Sequence, residues 1–298
     1  MVNNLTFGAN GPSTEFGIAG AGRVARSFGK LLNDRGHRVV AVASRDPSRA
    51  SAAASFIGSA VQTVTYEELS KQVRSLLIAV SDDAIEHVAR IFSNDFRDGT
   101  VLHTSGIYGV NVLASLIGQG NSCAGLHPLQ TIATPEQGFQ NLPGSAFLIT
   151  GVGRAAEWAT QIVHLLRGEI IRIVPGKKPV YHVAAIMASN YIVALINAAV
   201  HAMGVAGVES ETARRALTPL IKASVENALE RPKEALTGPI QRGDLKTLEL
   251  HLQELALLPP CIEQLYRSVG MYAVQVACQQ GLGDADASQV QELLRETK

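Results

Sequence analysis

The residues with the most specific chemical purpose lie near the N-terminus. Gly20, Gly22 and Ala25 fall in a G-x-G-x-x-A spacing within Gly17-Ile18-Ala19-Gly20-Ala21-Gly22-Arg23-Val24-Ala25. That spacing suits close contact with a pyrophosphate. Gly20 permits a tight turn, Gly22 lets backbone approach the phosphates, and Ala25 is small enough for a helix to pack on the preceding strand. The helix that follows would aim its free N–H groups and positive dipole end at the anion. Further on stands Ala43-Ser44-Arg45-Asp46-Pro47-Ser48. An acid at this point would bind ribose hydroxyls, whereas an arginine suits a 2′-phosphate. Asp46 precedes Pro47, which favours the first helical position, so Asp46 reads as an N-cap. Ser44 and Arg45 are then left to face a phosphate, with Arg23 or Arg49 assisting.

Other polar clusters follow apolar runs. Ser81-Asp82-Asp83 follows Leu76–Val80, and His103-Thr104-Ser105-Gly106 follows Val101-Leu102. Ligands of open α/β sheets sit beyond the carboxyl ends of strands, so these clusters are candidate cleft linings. Val80 and Ser81 are expected at the nicotinamide ribose and His103 near the nicotinamide. The expected cofactor set is therefore Gly20, Ala21, Gly22, Arg23, Val24, Ser44, Arg45, Val80, Ser81 and His103, with NADP expected over NAD. His127, followed by Pro128, reads as a loop-bracing residue. No carboxylate adjoins either histidine in sequence, so no metal is expected. The elbow G-x-S-x-G of serine hydrolases is absent around Ser105.

In the second half, Lys178, His182, Ser189 and Asn190 interrupt an apolar helical pattern. His182 and Ser189 share nearly one face at 100° per residue. Arg242, in Gly238-Pro239-Ile240-Gln241-Arg242-Gly243-Asp244, has no such structural duty and is either an anion ligand or a solvated side chain; Asp244 reads as the next N-cap. The candidate catalytic residues are His103, Ser105, His182, Asn190 and Arg242. In this reading the nicotinamide lies between His103-Thr104-Ser105 and the helix bearing His182 and Asn190.

The elements needed to place these residues are legible. Apolar runs at Phe16–Ala19, Val39–Ala43, Leu76–Val80, Val101-Leu102 and Ala146–Ile149 alternate with helical patterns. Alternation implies right-handed crossovers and a mainly parallel sheet buried on both faces. After Val174-Pro175-Gly176 only helical patterns remain: Lys178–Met203, Glu211–Leu229, Leu245–Leu255, Pro260–Cys278 and Ala287–Glu296. The expected architecture is an α/β Rossmann dinucleotide-binding domain over residues 1–175 and an all-helical domain over residues 176–298. Lys178–Met203 is apolar nearly all round and reads as a buried core helix.

Composition fits a small-molecule enzyme. Hydrophobic residues make up 46% of the 298 residues, charged residues only 17%, and Lys plus Arg equals Asp plus Glu at 26 each. A nucleic-acid surface would need a basic excess. Cys123, Cys261 and Cys278 form neither a metal-spaced pair nor a disulfide framework. Met1–Thr14 lacks the pattern of a signal peptide. A cytoplasmic location, no membrane partner and no nucleic-acid partner are expected.

Taken together, several motifs resemble one family. They are Gly20–Ala25, Val80-Ser81-Asp82-Asp83, His103-Thr104-Ser105-Gly106, Leu126-His127-Pro128-Leu129, Tyr181-His182, Ser189-Asn190-Tyr191, Thr237-Gly238-Pro239, Arg242-Gly243-Asp244 and His251. The chain resembles the Rossmann-like NADP oxidoreductases of uncharacterised function, relatives of pyrroline-5-carboxylate reductase and of the 6-phosphogluconate and ketopantoate dehydrogenases. The resemblance implies a helical second domain of the 6-phosphogluconate-dehydrogenase-like type that forms a homodimer. It also exposes a departure. The hydroxyacid dehydrogenase branch carries a lysine with an asparagine four residues later, whereas Lys178 is followed by His182 and Lys177 by Tyr181. Reduction of a small imine or carbonyl by NADPH, with His182 or His103 supplying the proton, is thereby favoured over lysine-based alcohol oxidation. The rival expectation is a non-catalytic NADP-binding redox sensor or scaffold.

Overall fold

A computed structural model describes residues 15–295. The readings at Met1–Thr14 and at Glu296 lie outside the described residues. The chain forms two compact units, Met1–Ser189 and Asn190–Lys298. The first takes in the helix that begins at Lys178, past the expected boundary at residue 175.

The first unit runs β1 (Glu15–Ala19), α1 (Arg23–Asp34), β2 (Arg38–Ala43), α2 (Pro47–Ile57), β3 (Gln62–Val64), α3 (Tyr66–Gln72) and β4 (Ser75–Ile78). It continues with α4 (Ile85–Phe92), β5 (Thr100–His103), α5 (Ala114–Ile117), β6 (Ser122–Pro128), α6 (Pro135–Asn141), β7 (Ala146–Gly151), α7 (Arg154–Leu165), β8 (Glu169–Ile171) and α8 (Lys178–Ala188). One eight-stranded sheet has the order β3-β2-β1-β4-β5-β6-β7-β8. Neighbours pair in parallel except β6 and β7, which are antiparallel. The order reverses between β1 and β4, the switch point where such sheets bind ligands.

Burial explains the strand sequences. Phe16 and Ile18 of β1 face a core with Phe28, Leu31 and Leu32 of α1 and Trp158 and Ile162 of α7. Ala19 and Ile78 face the other side with Leu69 of α3 and Val88 and Phe92 of α4. Both faces are covered, so the strands read as continuous apolar runs rather than alternating ones. Phe16 meets Trp158 edge-on, with ring centroids 5.8 Å apart. The short strands β3 and β8 and the helices α3, α5, α6 and α7 go beyond the elements named from the sequence.

The second unit comprises α9 (Asn190–Val205), α10 (Ser210–Glu230), α11 (Pro239–Arg242), α12 (Leu245–Leu255), α13 (Pro260–Gln279) and α14 (Asp284–Leu294). Its small core gathers Leu248, Val274, Ala287, Val290 and Leu294. Asp244 caps α12 by accepting the Thr247 amide at 3.1 Å.

The single buried helix expected over Lys178–Met203 is corrected twice. The chain breaks at Ser189, whose hydroxyl donates to the Ala185 carbonyl at 2.7 Å, so α8 and α9 are separate helices. Nor is the segment buried: Val183, Met187, Tyr191 and Val193 are all more than half exposed. By length and composition alone, Lys178–Val205 holds an 18-residue window of mean hydropathy 1.9, apolar enough to cross a membrane.

Trp158 is 1% exposed and packs on β1, so Trp158→Ala leaves a large void in the main core. A loss of about 3–5 kcal/mol is expected. Urea unfolding of both proteins measures it; a loss under about 1 kcal/mol would contradict this packing.

Candidate functional site

Two features meet at the carboxyl edge of the sheet. The first is a cleft of about 510 Å³ lined by Gly20, Ala21, Gly22, Arg23, Val24, Ser44, Arg45, Arg49, Val80, Ser81, Thr104 and His127, among others. Backbone geometry builds its floor. Gly20 has φ +131°, and a Cβ there would sit 2.2 Å from the Ala79 carbonyl oxygen. The β1–α1 turn therefore presses against the end of β4 in a way that only glycine allows. Gly22, by contrast, has nothing within 4 Å of where its Cβ would be. It is the N-cap of α1, makes no side-chain cap, and no acid stands in the first turn. The free N–H groups of α1 thus face the cleft unopposed, as an anion requires.

At the end of β2, Asp46 accepts the Ser48 and Arg49 amides at 2.9 and 3.2 Å. Its carboxyl is held below the usual range, first by the Ser48 hydroxyl and then by the Arg49 amide. The acid is occupied in capping α2, while Ser44, Arg45 and Arg49 line the cleft. Nine of the ten residues assigned to the cofactor from sequence line this cleft; His103 does not.

The second feature is a cluster of desolvated side chains at β5, β6 and α8. His103 ends β5 fully buried, and its Nδ1 accepts the Ser105 amide at 3.3 Å. Ser105 Oγ in turn accepts the Ile107 and Tyr108 amides at 3.2 and 3.0 Å, which braces the turn. The cleft wall is formed instead by Thr104 and by His127 on β6. His127 is thus more than a brace. Its Nδ1 lies 3.0 Å from the Tyr181 hydroxyl, and its ring stands edge-on to His182 with centroids 6.2 Å apart. Gly106 lets these rings close in, because a Cβ there would lie 2.6 Å from His182 Nδ1 and 2.8 Å from His127 Nε2. Sequence reading could have found Tyr181 from its neighbour His182, but nothing in sequence marks its pairing with His127. Arg242 is exposed at the end of α11, and Asn190 begins α9; both belong to the second unit. Among the described residues, no group of three His, Cys, Asp or Glu is arranged to hold a metal ion.

Burial sets the charge states. Desolvation, helped by Lys178 and His127, lowers His103 to about 3. Desolvation, then Lys178 and His182, lower His127 to about 4. Burial also lifts the Tyr181 phenol to about 12. At neutral pH His103 and His127 are therefore neutral, beside the protonated Tyr181 phenol.

Comparison with known proteins agrees with this architecture. Residues 5–128 match the model of a Rossmann-like domain, and residues 145–273 match a domain of unknown function, DUF2520. The two matches run in order, a Rossmann-like region followed by one similar to DUF2520, in keeping with the family the motifs resemble. Among curated proteins, none matches the sequence. Solved structures share the fold. A "putative NADP oxidoreductase", BF3122 from Bacteroides fragilis, is 22% identical over 87% of this chain and 96% of its own, with a TM-score of 0.73. TM1727 from Thermotoga maritima is 23% identical over 89% and 99%, with a TM-score of 0.68. A reductive aminase from Aspergillus terreus, in complex with NADPH and ethyl levulinate, is 17% identical over 95% and 100%, with a TM-score of 0.66.

The depressed histidines set a pH dependence. Below about pH 6.5 the unfolded chain protonates His103 and His127, while the folded chain resists until about pH 3 to 4. Their contribution is fully present above pH 6.5 and is lost as pH falls toward 4, by about 1.4 kcal/mol per pH unit per histidine. Urea unfolding between pH 7 and 5 should show this slope, and His103→Gln should remove one histidine's share. An unchanged slope in the variant would show that His103 is not held neutral.

Proposed function

We propose that this chain is an NADPH-dependent oxidoreductase that reduces a small imine or carbonyl compound. One observation carries the reading: a single cleft joins the uncapped N-terminus of α1 to Ser44, Arg45 and Arg49 at one end and to His127 at the other. The first end suits a pyrophosphate and a 2′-phosphate; the second suits a reacting group. The reductive aminase with NADPH bound, sharing this fold, supports the choice of cofactor and reaction class.

When bound, NADPH supplies a hydride to the carbon of the C=N or C=O bond. The protein's task is then to bind, orient and protonate. The α1 amides and Gly22 would hold the pyrophosphate, and Arg45 with Ser44 would hold the 2′-phosphate through charge-assisted hydrogen bonds. His127 and Tyr181 share a hydrogen bond at the cleft's end and would deliver the proton to nitrogen or oxygen, with His182 replenishing it. His103 and Ser105 would keep this end rigid, and Asn190 and Arg242 remain candidates for substrate contact. A neutral imidazole hydrogen-bonded to a phenol is suited to passing a proton without carrying charge into a dry site.

We also assign a homodimer through the helical region. Tyr191 and Val193 of α9 and Leu220 and Leu229 of α10 are more than half exposed. Apolar side chains in such number on adjoining helices mark an interface.

These readings have direct tests. Fluorescence titration should show NADPH binding more tightly than NADH, with Arg45→Ala weakening NADPH about tenfold, the scale of one lost charge-assisted contact. Equal affinity for both cofactors in the unmodified protein would overturn the assignment. Gly22→Val should leave the fold intact but abolish binding. Tyr181→Phe should slow NADPH oxidation with a cyclic imine by about a hundredfold. Tight NADPH binding with no oxidation across imines, keto acids and aldehydes would favour the sensor reading instead. Light scattering should report twice the chain mass at micromolar concentration; a monomer would refute the dimer.

A further inference from the structure

Strand register builds a second cluster, of which the reaction above uses only His103, as a brace. His103, Gly125 and Thr150 are register partners on β5, β6 and β7, so their positions form one row across a single sheet face. Gly125 has no side chain, and its neighbours lean over it. A Cβ at Gly125 would lie 2.6 Å from Thr150 Oγ1, 3.0 Å from His103 Nε2 and 3.2 Å from Lys178 Nζ. Each of those three polar atoms is buried without a hydrogen-bond partner among the described residues. Lys178, at the start of α8, is only 4% exposed. An ammonium group in such a place is costly unless it meets an anion.

The donor pattern is one-sided. His103 Nδ1 accepts an amide proton, so the ring's remaining proton sits on Nε2, which is a donor. Lys178 brings up to three N–H donors, and the Thr150 hydroxyl rotates to donate. Lys178 and Thr150 also line a cavity of about 990 Å³, separate in its lining from the dinucleotide cleft, with Ile107, Tyr108, Val110 and Val174 on its walls.

We propose that Lys178 and Thr150, backed by the buried His103, form a binding site for the carboxylate of a small organic acid, whose apolar part occupies this cavity. The cationic Lys178 and the neutral Thr150 hydroxyl, both on the cavity lining, match a carboxylate, and the apolar walls match a hydrocarbon body. Combined with the reductase reading, on which this last step rests, the site narrows the substrate to keto or imino acids rather than neutral ketones.

The charge balance around Lys178 predicts how pH acts. Burial lowers the amine to about 8, while Asp82 opposes that shift. The other ionisable groups near it are His103 and His127, both neutral, with Glu86, Tyr108 and Arg172 on the cavity wall. Since only the ammonium form attracts an anion, affinity should fall as pH rises through 8, approaching about tenfold per pH unit well above it.

Calorimetric titration of the full chain without cofactor, using phenylglyoxylate and its methyl ester, tests the site. The acid should bind at pH 7 at least tenfold more tightly than the ester and weaken about fivefold from pH 8 to 9, following the ammonium fraction of Lys178. Lys178→Met should abolish acid binding without lowering the melting temperature, since it removes a buried charge. Thr150→Val, a same-shape change, should weaken binding severalfold and serves if Lys178→Met does not fold. Equal affinity for acid and ester, no acid binding, or full affinity in Lys178→Met would overturn the proposal. Oxidation of NADPH with neutral imines but no acid binding would sink this site and leave the reductase reading standing. Acid binding without NADPH oxidation would do the reverse.

Discussion

The β1–α1 turn lies so close to β4 that the Ala79 carbonyl occupies the space a side chain at position 20 would need. Much of the cleft follows from that contact. It brings the N-terminus of α1 to the switch point of the sheet, between β1 and β4, and leaves its amides open. The amides of Gly20 and Ala79 then bond to Ala43 and Ala19, each at 2.8 Å, which ties the ends of β1, β2 and β4 together. Ser44 and Arg45, just past β2, and Val80 and Ser81, just past β4, are thereby delivered to one wall. A bulkier residue at position 20 would part these strand ends and scatter the wall.

A second constraint is dryness. His103 and His127 stay neutral chiefly because the sheet edge and α8 exclude water from them. The nearby Lys178 reinforces this by opposing further positive charge. Desolvation strengthens every remaining polar contact, so the hydrogen bond between His127 and Tyr181 has more influence here than it would at the surface. Glycines make the packing possible: at Gly106 two imidazoles close in, and at Gly125 a histidine, a threonine and a lysine do so. In both places a missing side chain on the backbone makes room for chemistry carried by its neighbours.

Much of this was legible in the chain itself. The glycine spacing, the apolar runs and the cap at Asp46 act over a few residues, and local rules describe them. Asp46 illustrates the point, since Pro47 after it already implied capping, and its carboxylate does take the Ser48 and Arg49 amides. His103 and His127 could not be ranked in the same way. Both follow apolar runs, yet one ends sealed beneath its own turn and the other opens onto the cleft, because β6 extends beyond the end of β5. The helix at Lys178–Met203 was misread for a related reason. An apolar circumference means that water must be excluded, but not by what, and within one chain much of that surface is exposed.

The sequence alone determined the two-part architecture, the phosphate loop and the residues at the end of β2, since each depends on contacts between near neighbours in the chain. Tertiary structure decided which histidine meets the cleft, that Tyr181 pairs with His127, and that Lys178 lies over the row formed by His103, Gly125 and Thr150. Those outcomes depend on the register of β5, β6 and β7 and on where α8 docks within the first unit. Register and docking are fixed by packing summed over the whole unit, so no short stretch of the chain encodes them.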